Sequence, residues 1–226
     1  MGRTVALVCT LAVLAAVSPA KARGDPCGSG HLRRAEVRGG VLELRWEGRI
    51  VERMAEDIAV EFAEHKRNAK SVTLSLTSCG GGGLSMERAI YVLRDIKASH
   101  ALTTVVERGA ICASACVPVF LAGGRRIGAL ASLWYFHPPT RVEDRADKAA
   151  YLEEFIHNHF PPTVVSPDWV HFMRRSLRNS DLWQTGRDLW ESKSGILTET
   201  LDNVEPREGV PLDLPNGTAC GLLCRG

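Results

Sequence analysis

Apolar residues recur along this chain with two different periods, and the changes of period mark out its elements. Val41 to Trp46 alternates apolar with polar residues, which predicts a half-buried strand, and Glu47-Gly48-Arg49 turns out of it. From Val51 to Lys66 the period lengthens. Met54, Ile58 and Phe62 recur at four-residue steps, backed by Ala55 and Ala59, which predicts an amphipathic helix. Val72 to Leu76 (VTLSL) alternates again as a second strand. Leu84 to Ala98 returns to the helical period, with Met86, Ile90, Leu93 and Ile96 or Lys97 along one side. Leu102 to Glu107 (LTTVVE) is rich in β-branched residues and predicts a buried strand.

Ala115 to Ala122 has small and apolar residues at helical density, and Pro118 falls early enough to cost at most one hydrogen bond. Gly123-Gly124-Arg125-Arg126 breaks that helix, and the apolar run Leu130 to Phe136 leads into His137-Pro138-Pro139. Asp144 to His159 reads as a charged amphipathic helix closed by Pro161-Pro162, and Pro167 to Leu177 as another helix. Thr185 and Asp188 have capping-box spacing, so a short helix is expected to start at Gly186 and stop near Gly195. That role engages Asp188 structurally and leaves Asp181, on the approach, available for other work.

The two ends carry no such periods. Residues 1–22 have the form of a secretory signal: Arg3, a short apolar run from Thr4 to Val17, and the small-x-small site Ala20-Lys21-Ala22. The run is short for a membrane span. Cys9 lies inside it, and the preceding Ala6-Leu7-Val8 fits a lipid-attachment site poorly. Residues 23–40 are polar and glycine-rich and are expected to be a loose leader segment. Residues 203–226 read as a Pro/Gly-rich tail containing Cys220 and Cys224.

Apolar content of 45% and charged content of 24% are both normal for a soluble globular protein. The formal charge of +2 includes Arg3 and Lys21; without the acid-free signal, residues 1–22, the balance is zero. No basic excess draws the mature chain to nucleic acid or to anionic lipid. A periplasmic or secreted location is expected, with no membrane attachment after signal removal. The mature chain would keep Cys27, Cys79, Cys112, Cys116, Cys220 and Cys224, an even set in an exported protein and so candidates for disulfides, with fifteen pairings open. No Cys/His grouping has clean zinc spacing, and His157 and His159 read as solvent-facing residues near a helix end, so neither metal nor cofactor is expected.

Two places break the regular pattern in a way that suggests chemistry. Ser78-Cys79-Gly80-Gly81-Gly82-Gly83 puts four glycines between a strand and a helix, which is costly in chain entropy and makes sense where backbone N–H groups must approach a ligand. Gly109 to Gly123 (GAICASACVPVFLAG) bends through small residues into a helix and exposes Ser114 at the bend. A serine there reads either as a helix cap or as a nucleophile beside free N–H groups that would hold an oxyanion.

In order, the elements are strand, helix, strand, glycine turn, helix, strand, serine bend, helix, and a strand ending in histidine. From about Val41 to Thr200 this resembles the Clp protease/crotonase superfamily on its Clp-like, serine-peptidase side. VTLSLTSCGGG is similar to that family's strand followed by Ser-Pro-Gly-Gly, with Cys79 in place of proline. GAICASAC with FLAGG resembles its nucleophile bend, WYFHPP its histidine segment, and DLWQTGRDLWE the segment after its acid. The resemblance implies an α/β fold, a Clp/crotonase-like spiral of repeated β–β–α units over residues 41–202.

It also implies Ser114 as nucleophile, His137 as base and Asp181 as acid, with Asp188 the competitor for that last role. The backbone N–H groups of Gly81 (or Gly80) and Ala115 would hold the oxyanion. The implied substrate is a peptide or protein, and a homo-oligomer is compatible with the family. The unfoldase-fed ring of cytosolic relatives is not implied for an exported chain.

Three other readings compete. A serine–lysine peptidase lacks a well-placed lysine: Lys97 lies at a helix end, and Lys148 and Lys193 lie in polar helical stretches. A crotonase would need CoA thioesters, which are scarce outside the cytoplasm. A catalytically inactive Clp-like binding or scaffold domain would hold Ser114 and His137 beyond hydrogen-bond reach.

Overall fold

A computed structural model describes residues 27–137, 153–177 and 181–202. The alternating segments form β2 (Val41–Glu47), β3 (Ser71–Thr77) and β4 (Ala101–Val106), and the four-step repeats form α1 (Arg53–His65) and α2 (Gly83–Ser99). In β2 and β3 every second residue is buried, as the alternation requires: Leu42, Leu44 and Trp46 on one strand, Val72, Leu74 and Leu76 on the other. Met54 and Ile58 of α1, and Met86, Leu93 and Ile96 of α2, close over the same core. Residues 153–159 are helical (α4), and α5 (Pro167–Leu177) coincides with its expected span. The rest of the expected 144–159 helix lies outside the described residues, as do the leader up to residue 26 and the tail after 202.

Five strands were not legible in the pattern. β1 (His31–Arg38) lies where a loose leader was expected, and pairs antiparallel with β2. It is an edge strand held by charge, which masks the hydrophobic period. Glu36 lies directly opposite Glu43, and Arg34 neutralises both while Arg38 pairs with Glu36 at 2.6 Å and Arg33 with Glu47 at 2.7 Å. β5 (Ile111–Ala113), β6 (Arg125–Gly128), β8 (Leu182–Thr185) and β9 (Glu199–Thr200) have four residues or fewer, too few for a period to register. The strand that feeds the serine bend is therefore β5 and not β4. Between them, α3 (Cys116–Leu121) and β7 (Leu133–Phe136) follow their expected segments. α6 (Gly186–Glu191) stops short of Gly195.

Among the described residues the strands make two sheets. The larger has the order β1-β2-β3-β4-β6-β9 and is parallel from β2 onward; the smaller has the order β5-β7-β8, with β5 and β7 parallel. From β4 to β7 the chain alternates between them, and helices cover the larger sheet. This mixed α/β architecture joins the two sheets where Ser78, just past β3, bridges Cys112 of β5.

Candidate active site

Parallel strands align their carboxyl ends, so the loops that leave them gather on one side. β3 leads through Ser78 to the glycines, β5 leads to Ser114, and β7 leads to His137. The register sets these exits side by side: Ser78 is bridged to Cys112, and Ala113 lies opposite Tyr135.

Ser114 has φ of 52°, the left-handed region, which costs a non-glycine residue about 1–2 kcal/mol. Its neighbours enforce that conformation. The Ser114 N–H donates to Tyr135 O at 2.8 Å, Val117 N–H donates to Ser114 O at 3.0 Å, and Ala113 N–H donates to Ser78 O at 3.0 Å. A disulfide between Cys112 and Cys116, Cα atoms 5.3 Å apart, closes the bend on either side of the serine. The result aims the Ser114 hydroxyl at His137, with 2.6 Å between Oγ and Nε2. With Nε2 unprotonated, the O–H donates to it, which is the arrangement through which a hydroxyl can hand over its proton.

The glycine turn packs directly onto this serine. Gly80 has φ of 98°, and a Cβ there would lie 2.7 Å from Ser114 Cβ and 3.2 Å from Ser114 Oγ, so only glycine fits. Its N–H is already committed, donating to the buried Ser78 Oγ at 3.1 Å. Of the two glycines expected as oxyanion donors, this leaves Gly81. The N–H groups of Gly81 and Ala115 have no acceptor among the described residues. A second disulfide, Cys27 to Cys79, anchors the same turn from its other side, while Cys220 and Cys224 lie outside the described residues.

The expected acid takes a different place. Asp181 stands just before β8, and its Oδ2 accepts the hydroxyl of Tyr135. No hydrogen bond or ion pair joins Asp181 to His137 among the described residues. Asp188 is engaged elsewhere, accepting the Thr185 N–H at 2.7 Å and donating its own N–H to Thr185 Oγ1 at 3.1 Å in the expected capping box.

Tyr135 is the site residue that sequence reasoning passed over. On β7, Trp134 and Phe136 are buried, so period two turns Tyr135 and His137 to the opposite face. Their rings stack at 5.3 Å with 29° between planes, and Trp183 of β8, opposite Tyr135 in the register, packs on the same tyrosine at 4.4 Å. Burial raises the Tyr135 hydroxyl to about 12, and the hydrogen bond to Asp181 and its charge add to the rise. The phenol therefore stays a donor across the working pH range. The signal was present in the alternation of WYFH, once that run is known to be a strand.

Glu61, Glu64 and His65 on α1 bring ligand atoms within 4.8 Å of one another, the one such grouping among the described residues. His65 already pairs with Glu61 at 3.6 Å, and nothing else there marks a metal site. No helix among the described residues is long and apolar enough to cross a membrane.

No protein-family model matches the chain. No curated protein matches it either. Among solved structures, a mutant of ClpP1 from Listeria monocytogenes aligns with 74% of this chain and 92% of its own, with a TM-score of 0.55 and 17% sequence identity. The fold is Clp-like, in agreement with the expected class.

Proposed function

We propose that the protein is an exported serine hydrolase, and within that class a peptidase. The observation that carries this reading is the 2.6 Å contact between Ser114 Oγ and His137 Nε2, made at a strained bend packed against the glycine turn. A cap serine needs neither a positive φ nor an imidazole partner. The Clp-like fold adds support for a peptidase, and the disulfides Cys27–Cys79 and Cys112–Cys116 support an oxidising compartment.

The reaction is acyl transfer. Ser114 Oγ attacks the substrate carbonyl as its proton passes to His137 Nε2. The carbonyl oxygen becomes an oxyanion and takes hydrogen bonds from the N–H groups of Gly81 and Ala115. The C–N bond breaks, and the imidazolium returns the proton to the departing amine. Water, deprotonated by His137, then releases the acyl group and restores Ser114. Asp181 is the acidic member of the site and favours the imidazolium formed in each half-reaction. No metal or cofactor enters these steps.

Labelling by a fluorophosphonate tests the proposal. Wild type is expected to label at one site per chain, and Ser114→Ala to lose the label while keeping its melting temperature. Equal labelling of the two would refute the hydrolase reading in favour of an inactive binding or scaffold domain. Loss of labelling in His137→Ala would separate this mechanism from a serine–lysine one.

A further inference from the structure

Asp181 and His137 are the two groups a triad would join, yet Tyr135 stands between them. It donates its hydroxyl to Asp181 Oδ2 and lays its ring along the imidazole. We infer that Tyr135 is a positioning residue for His137, and that Asp181 acts on the imidazole through Tyr135 rather than by direct contact. The inference rests on the serine-hydrolase reading above.

Two features carry its positioning effect. β7 ends at Phe136, and period two through the residue that follows puts Tyr135 and His137 on one face, where their rings stack at 5.3 Å. Trp183 presses on the tyrosine from the neighbouring strand, and the register pairs those two residues directly. The ring therefore limits how the imidazole can rotate and helps keep Nε2 on the Ser114 hydroxyl.

The second effect is electrostatic. A tyrosine face attracts a cation within about 6 Å of the ring centre, and the 5.3 Å separation here meets that condition. When Ser114 is acylated, His137 becomes that cation. The carboxylate of Asp181, accepting the phenol hydrogen bond, pushes electron density into the ring and strengthens the attraction. The hydroxyl resists ionisation, so it remains a donor as the imidazole charges. Attraction of a cation to a tyrosine face corresponds to about two- to thirty-fold in rate.

The test is a double-mutant cycle on phosphonylation of Ser114 by a fluorophosphonate, in which Oγ attacks phosphorus and fluoride leaves, with the non-covalent affinity for the probe measured separately from the covalent step. Tyr135→Phe and Asp181→Asn are each expected to slow phosphonylation about three- to ten-fold without weakening probe affinity. Tyr135→Leu, which also removes the ring, is expected to slow it further, so that phenylalanine partly rescues leucine. The Tyr135→Phe/Asp181→Asn double variant should be no slower than the worse single one, because each breaks the same link.

If the two effects multiply, or if Asp181→Asn slows phosphonylation while Tyr135→Phe does not, the inference is overturned. Tyr135→Phe keeps the ring and its packing, and its melting curve verifies that it folds, so a leucine variant that fails to fold leaves the cycle decisive. Labelling that survives Ser114→Ala defeats the hydrolase reading itself. Labelling that depends on Ser114, with multiplying effects in the cycle, defeats only this inference.

Discussion

Ser114 is held in a conformation its side chain disfavours, and Gly80 makes room for it. Those two positions are coupled: a methyl group at Gly80 would press on the serine Cβ at 2.7 Å and would also sit at φ of 98°. Gly80→Ala is expected to destabilise the fold by about 1–2 kcal/mol from the backbone alone. Because the clash falls on the proposed nucleophile, labelling should slow far more than stability falls, about ten-fold or beyond. Denaturant melts and labelling rates on the same preparation check both halves. His137→Ala is expected to slow labelling by about 10²–10⁴-fold, the usual worth of the general-base role proposed for it, with little change in melting. Both residues stood out in the sequence by type and setting. Tyr135 did not, because an aromatic between two core aromatics reads as core until the strand's alternation is known.

The elements that present these residues are short, and disulfides supplement them. The two bridges should act differently. Cys27–Cys79 spans 52 positions, and the chain-entropy account gives it about 4 kcal/mol of stability; Cys112–Cys116 spans 4 and gains about 2 kcal/mol. The shorter bridge encloses Ser114, so its effect belongs to the geometry of the bend. Replacing Cys27 and Cys79 by alanine is expected to lower the melting temperature more. Replacing Cys112 and Cys116 by alanine is expected to lower the labelling rate more. Parallel melts and labelling rates of the two double variants decide it, and the opposite ranking in labelling would show that the bend holds without its brace. Neither pairing could be chosen from six cysteines in a line. Cys27 reaches Cys79 because Arg49 N–H donates to Gly28 O at 3.0 Å while the adjoining Ile50 bridges Gly81, contacts that no local stretch of sequence shows.

The molecule as a whole also carries a pH-sensitive joint away from the site. His159, at the end of α4, is held below the ordinary imidazole value of 6.5, chiefly by burial; Glu87 of α2 pulls the other way and Arg94 of α2 adds to the lowering. The ring also packs on Phe155 at 5.0 Å. A lowered folded-state value means the unfolded chain binds the proton more readily. Stability is therefore undiminished above about pH 6.5 and falls as the pH drops through that value toward the folded one. His159→Phe is expected to flatten this part of the stability profile, and urea melts between pH 7.5 and 5 would show a parallel profile in the variant if the assignment is wrong. Carboxylates such as Glu199, lowered by its hydrogen bond to Arg125, contribute at more acidic pH and are common to both proteins.

Local chemistry was enough to specify the periodic strands and helices, the glycine turn, the serine at a bend, the histidine after an apolar run and the capping box of Asp188. Each is a matter of neighbours a few residues apart, where steric preference and burial period act directly. Pairing across the chain decided the rest. A charged edge strand such as β1 has no apolar period to read, and strands of two to four residues acquire their identity only from a partner. The same holds for the site: Gly80, Ser114 and His137 meet because three strands end together, and Asp181 met a tyrosine because β8 lies antiparallel to β7. Distances between remote segments are set by sheet register, and no single stretch of sequence encodes a register.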